Sequence, residues 1–346
     1  MSDSLFPVRQ TRRDFMKLGM LAVGGLALDS VVSADEAKPV TIGTGAHTFT
    51  LDAAWGKLPK GMSYGLGCAI VVDSKDNVYV TSRSQSPCVA VFSPDGKLAE
   101  TWSEDFAAKV GYTTKDVVGT AHGLYWSPEG KEEFLYFTEN APGKRVYKTD
   151  LKGKILYEIG AVKKEGSTSQ AFKFDNPTDV AVSANGDIYI VDGYGSQLVH
   201  RFDKNFKLIK TMGGPGKEHG KFNTCHGIWV STIGKVPEIW IADRANGRIE
   251  IFDLELTYKR TIEGFKAPCC FYQHGGMIYV PELSSRVSIV DASDKASHLG
   301  DGSGVKEKGP QHFIAPHALT LDSKGNLYVV EWVGDGRVRK FVPKPA

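Results

Sequence analysis

Apolar and polar residues alternate with period two along most of the chain beyond residue 40, and Gly, Asn, Asp and Ser separate the apolar runs. This pattern predicts short β-strands joined by tight turns. The clearest unit is 176–195 (Asn-Pro-Thr-Asp-Val-Ala-Val-Ser-Ala-Asn-Gly-Asp-Ile-Tyr-Ile-Val-Asp-Gly-Tyr-Gly), with further apolar runs at Leu198–Asp203 and Leu208–Met212. Six copies can be laid out at 64–103, 118–161, 172–215, 222–264, 265–303 and 311–346, a spacing of about 40 to 50 residues that matches propeller blades. The second strand of every copy has an aromatic residue at its centre: Tyr79, Tyr136, Tyr189, Trp240, Tyr279 and Tyr328. The expected fold is all-β, a six-bladed β-propeller with four antiparallel strands per blade. The last copy ends soon after its third strand (Arg337–Phe341), so the segment around His47–Leu51 is expected to supply the fourth and close the ring, hiding a strand edge. The one helix-compatible segment beyond residue 40 is Ser103–Val110.

Aligning the copies brings three histidines to one position: His122 in copy two, His226 in copy four and His317 in copy six. The same position holds Cys68 in copy one, Thr178 in copy three and Pro268 or Cys269 in copy five. Alternate blades of a six-membered ring stand in near-threefold symmetry, so the three imidazoles are expected to meet on the channel axis. Three neutral imidazoles suit Zn²⁺ and leave a fourth position open for water or substrate. The other six histidines (His47, His200, His219, His274, His298 and His312) share no blade position and are expected on the surface or in loops.

A second ring follows the middle strands: Ser82-Arg83, Glu139-Asn140, Asp192-Gly193-Tyr194, Asp243-Arg244, Glu282-Leu283 and Glu331-Trp332. The five acids are expected to accept backbone N–H bonds from the turn of the next blade. Arg83 and Arg244 put two cations on the rim of the funnel, suited to a substrate carboxylate because guanidinium binds carboxylate bidentately. Tyr194 becomes a general acid or base if a metal or an arginine depresses its pKa.

Composition adds little to the chemistry. The chain has 42 Lys plus Arg against 40 Asp plus Glu, and no basic block or acidic tail, so no nucleic-acid partner is expected. Five cysteines, an odd number, argue against a complete disulfide framework, and the absence of any Cys-x-x-Cys pair argues against a thiolate zinc site. Residues 1–34 resemble a twin-arginine export signal: Arg12-Arg13 precede the apolar run Leu18–Leu28 and the small residues Val32-Ser33-Ala34. The expected organisation is therefore a leader over 1–34 and one catalytic propeller domain over 35–346. The mature protein is expected to be periplasmic or extracellular, monomeric and not inserted in the membrane.

Three further motifs carry a family resemblance: Pro177-Thr178-Asp179-Val180-Ala181-Val182, Val191-Asp192-Gly193-Tyr194 and Ala242-Asp243-Arg244-Ala245-Asn246-Gly247-Arg248-Ile249. With them the chain resembles peptidyl-α-hydroxyglycine α-amidating lyase. The resemblance implies a six-bladed propeller with Zn²⁺ on His122, His226 and His317, Tyr194 as catalytic tyrosine, Arg83 facing the substrate carboxylate, and Arg244 as a further active-site arginine. The reaction it implies cleaves the C–N bond of a peptidyl- or N-acyl-α-hydroxyglycine to an amide and glyoxylate. The chain departs from the family in three places: Ala318 replaces an aspartate that helps bind a structural Ca²⁺, leaving that ion doubtful; Ala315 replaces a pocket methionine; and Gly195 replaces a disulfide cysteine. Two other readings stay open on the sequence: another metal-dependent propeller enzyme of lactonase or hydrolase type, and a non-catalytic NHL-type binding propeller.

Overall fold

The computed structural model describes residues 39–83, 87–102, 106, 121–141, 143–160, 169–304, 309–334 and 336–344. The leader over 1–34, and Ser103–Val110 apart from Phe106, lie outside the described residues. The described chain forms one unit of six antiparallel β-sheets: a six-bladed propeller. The innermost strands are Gly67–Val72, Ala121–Glu129, Asp179–Val182, Cys225–Ser231, Tyr272–His274 and Pro316–Leu321. The last of these packs beside the first, which closes the ring.

Closure comes from the N-terminal side. Phe49–Asp52 pairs antiparallel with Arg337–Pro343, in the register Phe49 opposite Pro343, and so completes blade six. Thr41–Ile42 then pairs with Phe49–Asp52 as a fifth strand, which the sequence pattern did not announce. Blade two also has a fifth strand, Ser169–Ala171, parallel to Ile155–Gly160.

The six central aromatics are all buried, none more than 5% exposed. Members of this set pack between blades: Trp55 packs edge-on against Tyr328 at 4.8 Å, and Trp240 meets Phe271 of the next blade at 6.3 Å. Alternation puts one face of each strand into such a layer, which is why the period-two pattern was so clear. The turns follow from local polar chemistry. In the first hairpin of blades one and six, Asp73 and Asp322 each accept two backbone N–H bonds from the turn that follows, the Asx device that fixes a tight turn.

Candidate metal centre

Each histidine sits where its inner strand carries one residue more than its partner. In blade two Ala121 pairs with Glu139 and Leu124 with Phe137; in blade four Cys225 pairs with Asp243 and Ile228 with Ile241; in blade six Pro316 pairs with Glu331 and Ala318 with Val330. Such a bulge re-aims a side chain. Here it accompanies the turn of His122, His226 and His317 to the axis. Blade one has the same irregularity at Cys68. In blade five Pro268 bridges Glu282, as Cys225 bridges Asp243, so Cys269 rather than Pro268 is the equivalent of the histidines.

The three imidazoles converge. Their ring centroids lie 4.8, 5.2 and 4.9 Å apart, and one nitrogen of each falls within 4.8 Å of the others. All three are buried, at 2–4% exposure. Their Nδ1 atoms lie 2.7 Å from Thr178 O, 2.7 Å from Cys269 O and 2.6 Å from Cys68 O. A carbonyl can only accept, so each Nδ1 carries the proton and each Nε2 presents a lone pair. This is the arrangement in which a second partner fixes the tautomer and orientation of a ligating histidine. Burial, reinforced by the other imidazoles and by Arg83 or Arg244, pushes His122 and His226 well below the usual histidine range. Burial first, then Arg244 and Arg83, pushes His317 down to about 3. Three neutral imidazoles, each held through its Nδ1 with a ring nitrogen within 4.8 Å of the others, are a donor set that fits Zn²⁺. It is the only group of three or more potential metal-ligating side chains among the described residues.

The carbonyls come close because of glycine. A Cβ on Gly123 would stand 2.7 Å from Thr178 O, and one on Gly227 would collide with Cys269 O. The His-Gly pairs at 122–123 and 226–227 therefore let the neighbouring blade's carbonyl reach Nδ1.

Tyr194 stands over the triad. Its hydroxyl lies 3.3 Å from His122 Nε2 and 3.0 Å from His226 Nε2, and it accepts a bond from Arg244 Nη1 at 3.1 Å. One flank of its ring is open to solvent (36% exposed) while the hydroxyl end points inward. Burial of that end raises the phenol pKa, and Arg244 pulls against the rise. Arg83 donates to Ala121 O at 3.2 Å and to Asn140 Oδ1, with its guanidinium 5.1 Å from the Trp332 ring. Trp332 in turn lies 5.2 Å from His317. The structure thus brings all six predicted site residues to one mouth.

Comparisons with known proteins agree with this architecture. Residues 174–202 match the NHL repeat. NHL repeat-containing protein 3 of Mus musculus is 32% identical over 318 residues, spanning 85% of this chain and 84% of that protein. This chain belongs to that NHL-repeat family. A more distant relative is the probable peptidyl-alpha-hydroxyglycine alpha-amidating lyase pgal-1 of Caenorhabditis elegans, 30% identical over 141 residues, 39% of each chain. Among solved structures, a streptogramin B lyase superposes with a TM-score of 0.56 at 14% identity, covering 87% of this chain and 100% of that one; the likeness is one of fold.

Two expectations need correction in this NHL-repeat chain. The strand-end acids accept N–H bonds from the lead-in of their own blade, not from the next: Asp175 N to Asp192 at 2.7 Å, Asn223 N to Asp243 at 2.7 Å, Ile314 N to Glu331 at 2.7 Å. Four of the five also hold an arginine that opens the third strand, Arg145, Arg248, Arg286 or Arg337, a repeat signal that was visible in the sequence. His200 is not a surface residue: it is 4% exposed and faces Phe172 and Phe174. The five cysteines are all free, four of them buried.

Sequence reasoning missed Gln197. Its Nε2 donates to Gly193 O at 2.8 Å and Gly195 O at 3.3 Å, while its Oε1 accepts from Thr224 N at 2.7 Å and Cys225 N at 3.2 Å. One amide thereby ties the loop that carries Tyr194 to the strand that carries His226. Ala318 lies in the channel beneath the triad, where Asp179 also faces the cavity; burial pushes the Asp179 carboxyl up to about 7.

Proposed function

We propose that the chain is a zinc-dependent lyase that cleaves the C–N bond of a peptidyl- or N-acyl-α-hydroxyglycine, giving an amide and glyoxylate. The observation that carries this reading is the convergence of three lone-pair-bearing Nε2 atoms with the Tyr194 hydroxyl within 3.3 Å of two of them. The distant amidating-lyase relatives support it. His122, His226 and His317 would hold the ion. Bound there, zinc supplies a Lewis acid with an open coordination position.

The chain's own groups account for the rest. Arg83 receives the substrate carboxylate, since among the described residues its hydrogen bonds go to neutral acceptors and leave an Nη1 edge for a charged one. Tyr194, as phenolate, takes the proton of the carbinol hydroxyl while the C–N bond breaks, and returns a proton to the departing amide nitrogen. The carbinol carbon becomes the aldehyde of glyoxylate, so atoms and charge balance. Arg244, bonded to the phenol oxygen, is the chain's own means of stabilising the phenolate against the cost of burial. Export by the twin-arginine route, and a monomeric mature protein, belong to the same reading and rest on the leader residues and on a propeller closed by its own strands.

The test combines metal content of the purified protein with glyoxylate release from α-hydroxyhippurate, before and after chelation. About one zinc per chain and chelator-sensitive glyoxylate are expected. Tyr194→Phe is expected to keep the metal and lose about 10²- to 10⁴-fold in turnover; full activity in that variant rules out the proposed base. Zinc without glyoxylate moves the search to other metal-dependent propeller chemistry, and no metal leaves the binding propeller.

A further inference from the structure

Seven of the nine arginines in the described chain form ion pairs with carboxylates, from Arg145 on Glu139 to Arg339 on Glu331. The two that do not are Arg83 and Arg244. They belong to blades one and four, which stand opposite each other in a ring of six, so two uncompensated guanidiniums flank the triad. Their settings match. Arg83 lies 5.1 Å from the Trp332 ring, which lies 5.2 Å from His317; Arg244 lies 5.1 Å from the Tyr194 ring, which lies 5.0 Å from His122. Among the described residues their partners are neutral: Ala121 O, Asn140 Oδ1 and the Cys68 thiol for Arg83, the phenol of Tyr194 and the Cys269 thiol for Arg244. The neighbouring acids are engaged elsewhere: Asp243 on Arg248 at 2.7 Å, Glu282 on Arg286 at 2.7 Å, Glu139 on Arg145 at 2.8 Å.

The mouth therefore carries two positive charges above three neutral imidazoles, before any metal is counted. Arg83 and Arg244 are both half-buried, and two like charges on the rim of one cleft draw anionic ligands to it. A single substrate carboxylate answers one of the two. We infer that the ligand is a dianion, with the carboxylate of its glycine end on Arg83 and a second carboxylate, on the acyl side, on Arg244. The inference rests on the lyase reading for the hydroxyglycine end and adds to it an acidic acyl group, either a dicarboxylic acyl chain or an acidic residue in a peptide.

N-succinylglycine and N-pentanoylglycine test this. They are of similar length, carry two carboxylates and one, and lack the hydroxyl, so neither turns over. Calorimetric titration of the purified protein, its metal content measured, is expected to show N-succinylglycine binding about tenfold tighter or more, the scale of one charge-assisted hydrogen bond. In Arg244→Gln that preference falls to about threefold or less, whereas Arg83→Gln weakens both ligands. Equal affinity in the unmutated protein, no binding of either ligand, or a preference that survives Arg244→Gln overturns the inference. Glyoxylate assays on the two hydroxylated counterparts separate it from the lyase reading. A binding preference without glyoxylate from either keeps the dianion site and removes the lyase. Glyoxylate from both, at equal kcat/KM and with equal binding, keeps the lyase and removes the dianion.

Discussion

Blades two, four and six put imidazoles on the axis, whereas blades one, three and five put Cys68, Thr178 and Cys269 at the equivalent positions. The odd blades offer no ligand atom to the centre, yet each supplies the carbonyl that holds a histidine Nδ1: Cys68 for His317, Thr178 for His122, Cys269 for His226. The ligand ring is thus a ring of six in which side chains alternate with backbone. The even blades decide what binds, and the odd blades decide which nitrogen faces it. Side-chain identity matters in the first set, and close approach of the main chain in the second.

The contrast can be broken most severely on the even side. His226→Ala is expected to lose both metal and turnover, read by metal analysis and glyoxylate release. The matching odd-side change, Cys269→Ala, keeps the carbonyl; it should keep the metal and cost about 1 kcal/mol of stability for a small buried side chain. Loss of metal in Cys269→Ala would mean that the thiol, not the carbonyl, is what blade five contributes. Next in size is Gly227→Val, which leaves every ligand in place but drives a side chain into Cys269 O. Metal affinity, from competition with a chelator, should fall about 10- to 100-fold, the usual cost of losing an outer-shell partner.

Gln197→Leu sharpens the comparison further, because it disturbs neither ring but cuts the tie between the Tyr194 loop and the Thr224–Cys225 backbone. Turnover should fall about tenfold or more, as for a misplaced catalytic group, with KM and zinc content little moved. An unchanged kcat shows that the loop holds Tyr194 without it.

The smallest effect concerns the other buried histidine. His200 has its Nδ1 on Thr211 Oγ1 at 3.0 Å and a buried Nε2 without a partner among the described residues, and burial pushes it down to about 4. The folded protein then binds its proton more weakly than the unfolded chain does, so His200 adds stability above the usual pKa of 6.5 and loses it as pH falls from 6.5 towards 4. Denaturant titrations across that window should show a slope of at most about 1.4 kcal/mol per pH unit from this group, reduced in His200→Leu. The same slope in both proteins would show that His200 does not contribute and that other groups set it.

Much of this was legible in the sequence, for a definite reason. Repetition converts a position along the chain into a position in space, so the alternating runs define the blades, the aromatic centres define the layers, and the repeat alone places His122, His226 and His317 on one axis. The Asp-Gly-Tyr and Asp-Arg motifs could be put on the rim in the same way. His200 escaped because it follows no repeat; it is buried by Phe172 and Phe174, which lead into its blade.

What the tertiary structure alone decided is who faces whom across blades. The carbonyls that orient the imidazoles lie 56, 43 and 249 residues away in sequence and carry no side-chain signature, since every residue has one. Gln197 reads as an ordinary polar residue until the loop and the next blade's strand close around it. Among the described residues, the two arginines without acids could not be told from the seven with them, because the chain offers nearly as many carboxylates as cations and only packing assigns the partners. Composition and periodicity are properties of single positions. Tautomer, uncompensated charge and loop anchorage belong to pairs, and the pairs exist only once the ring has closed.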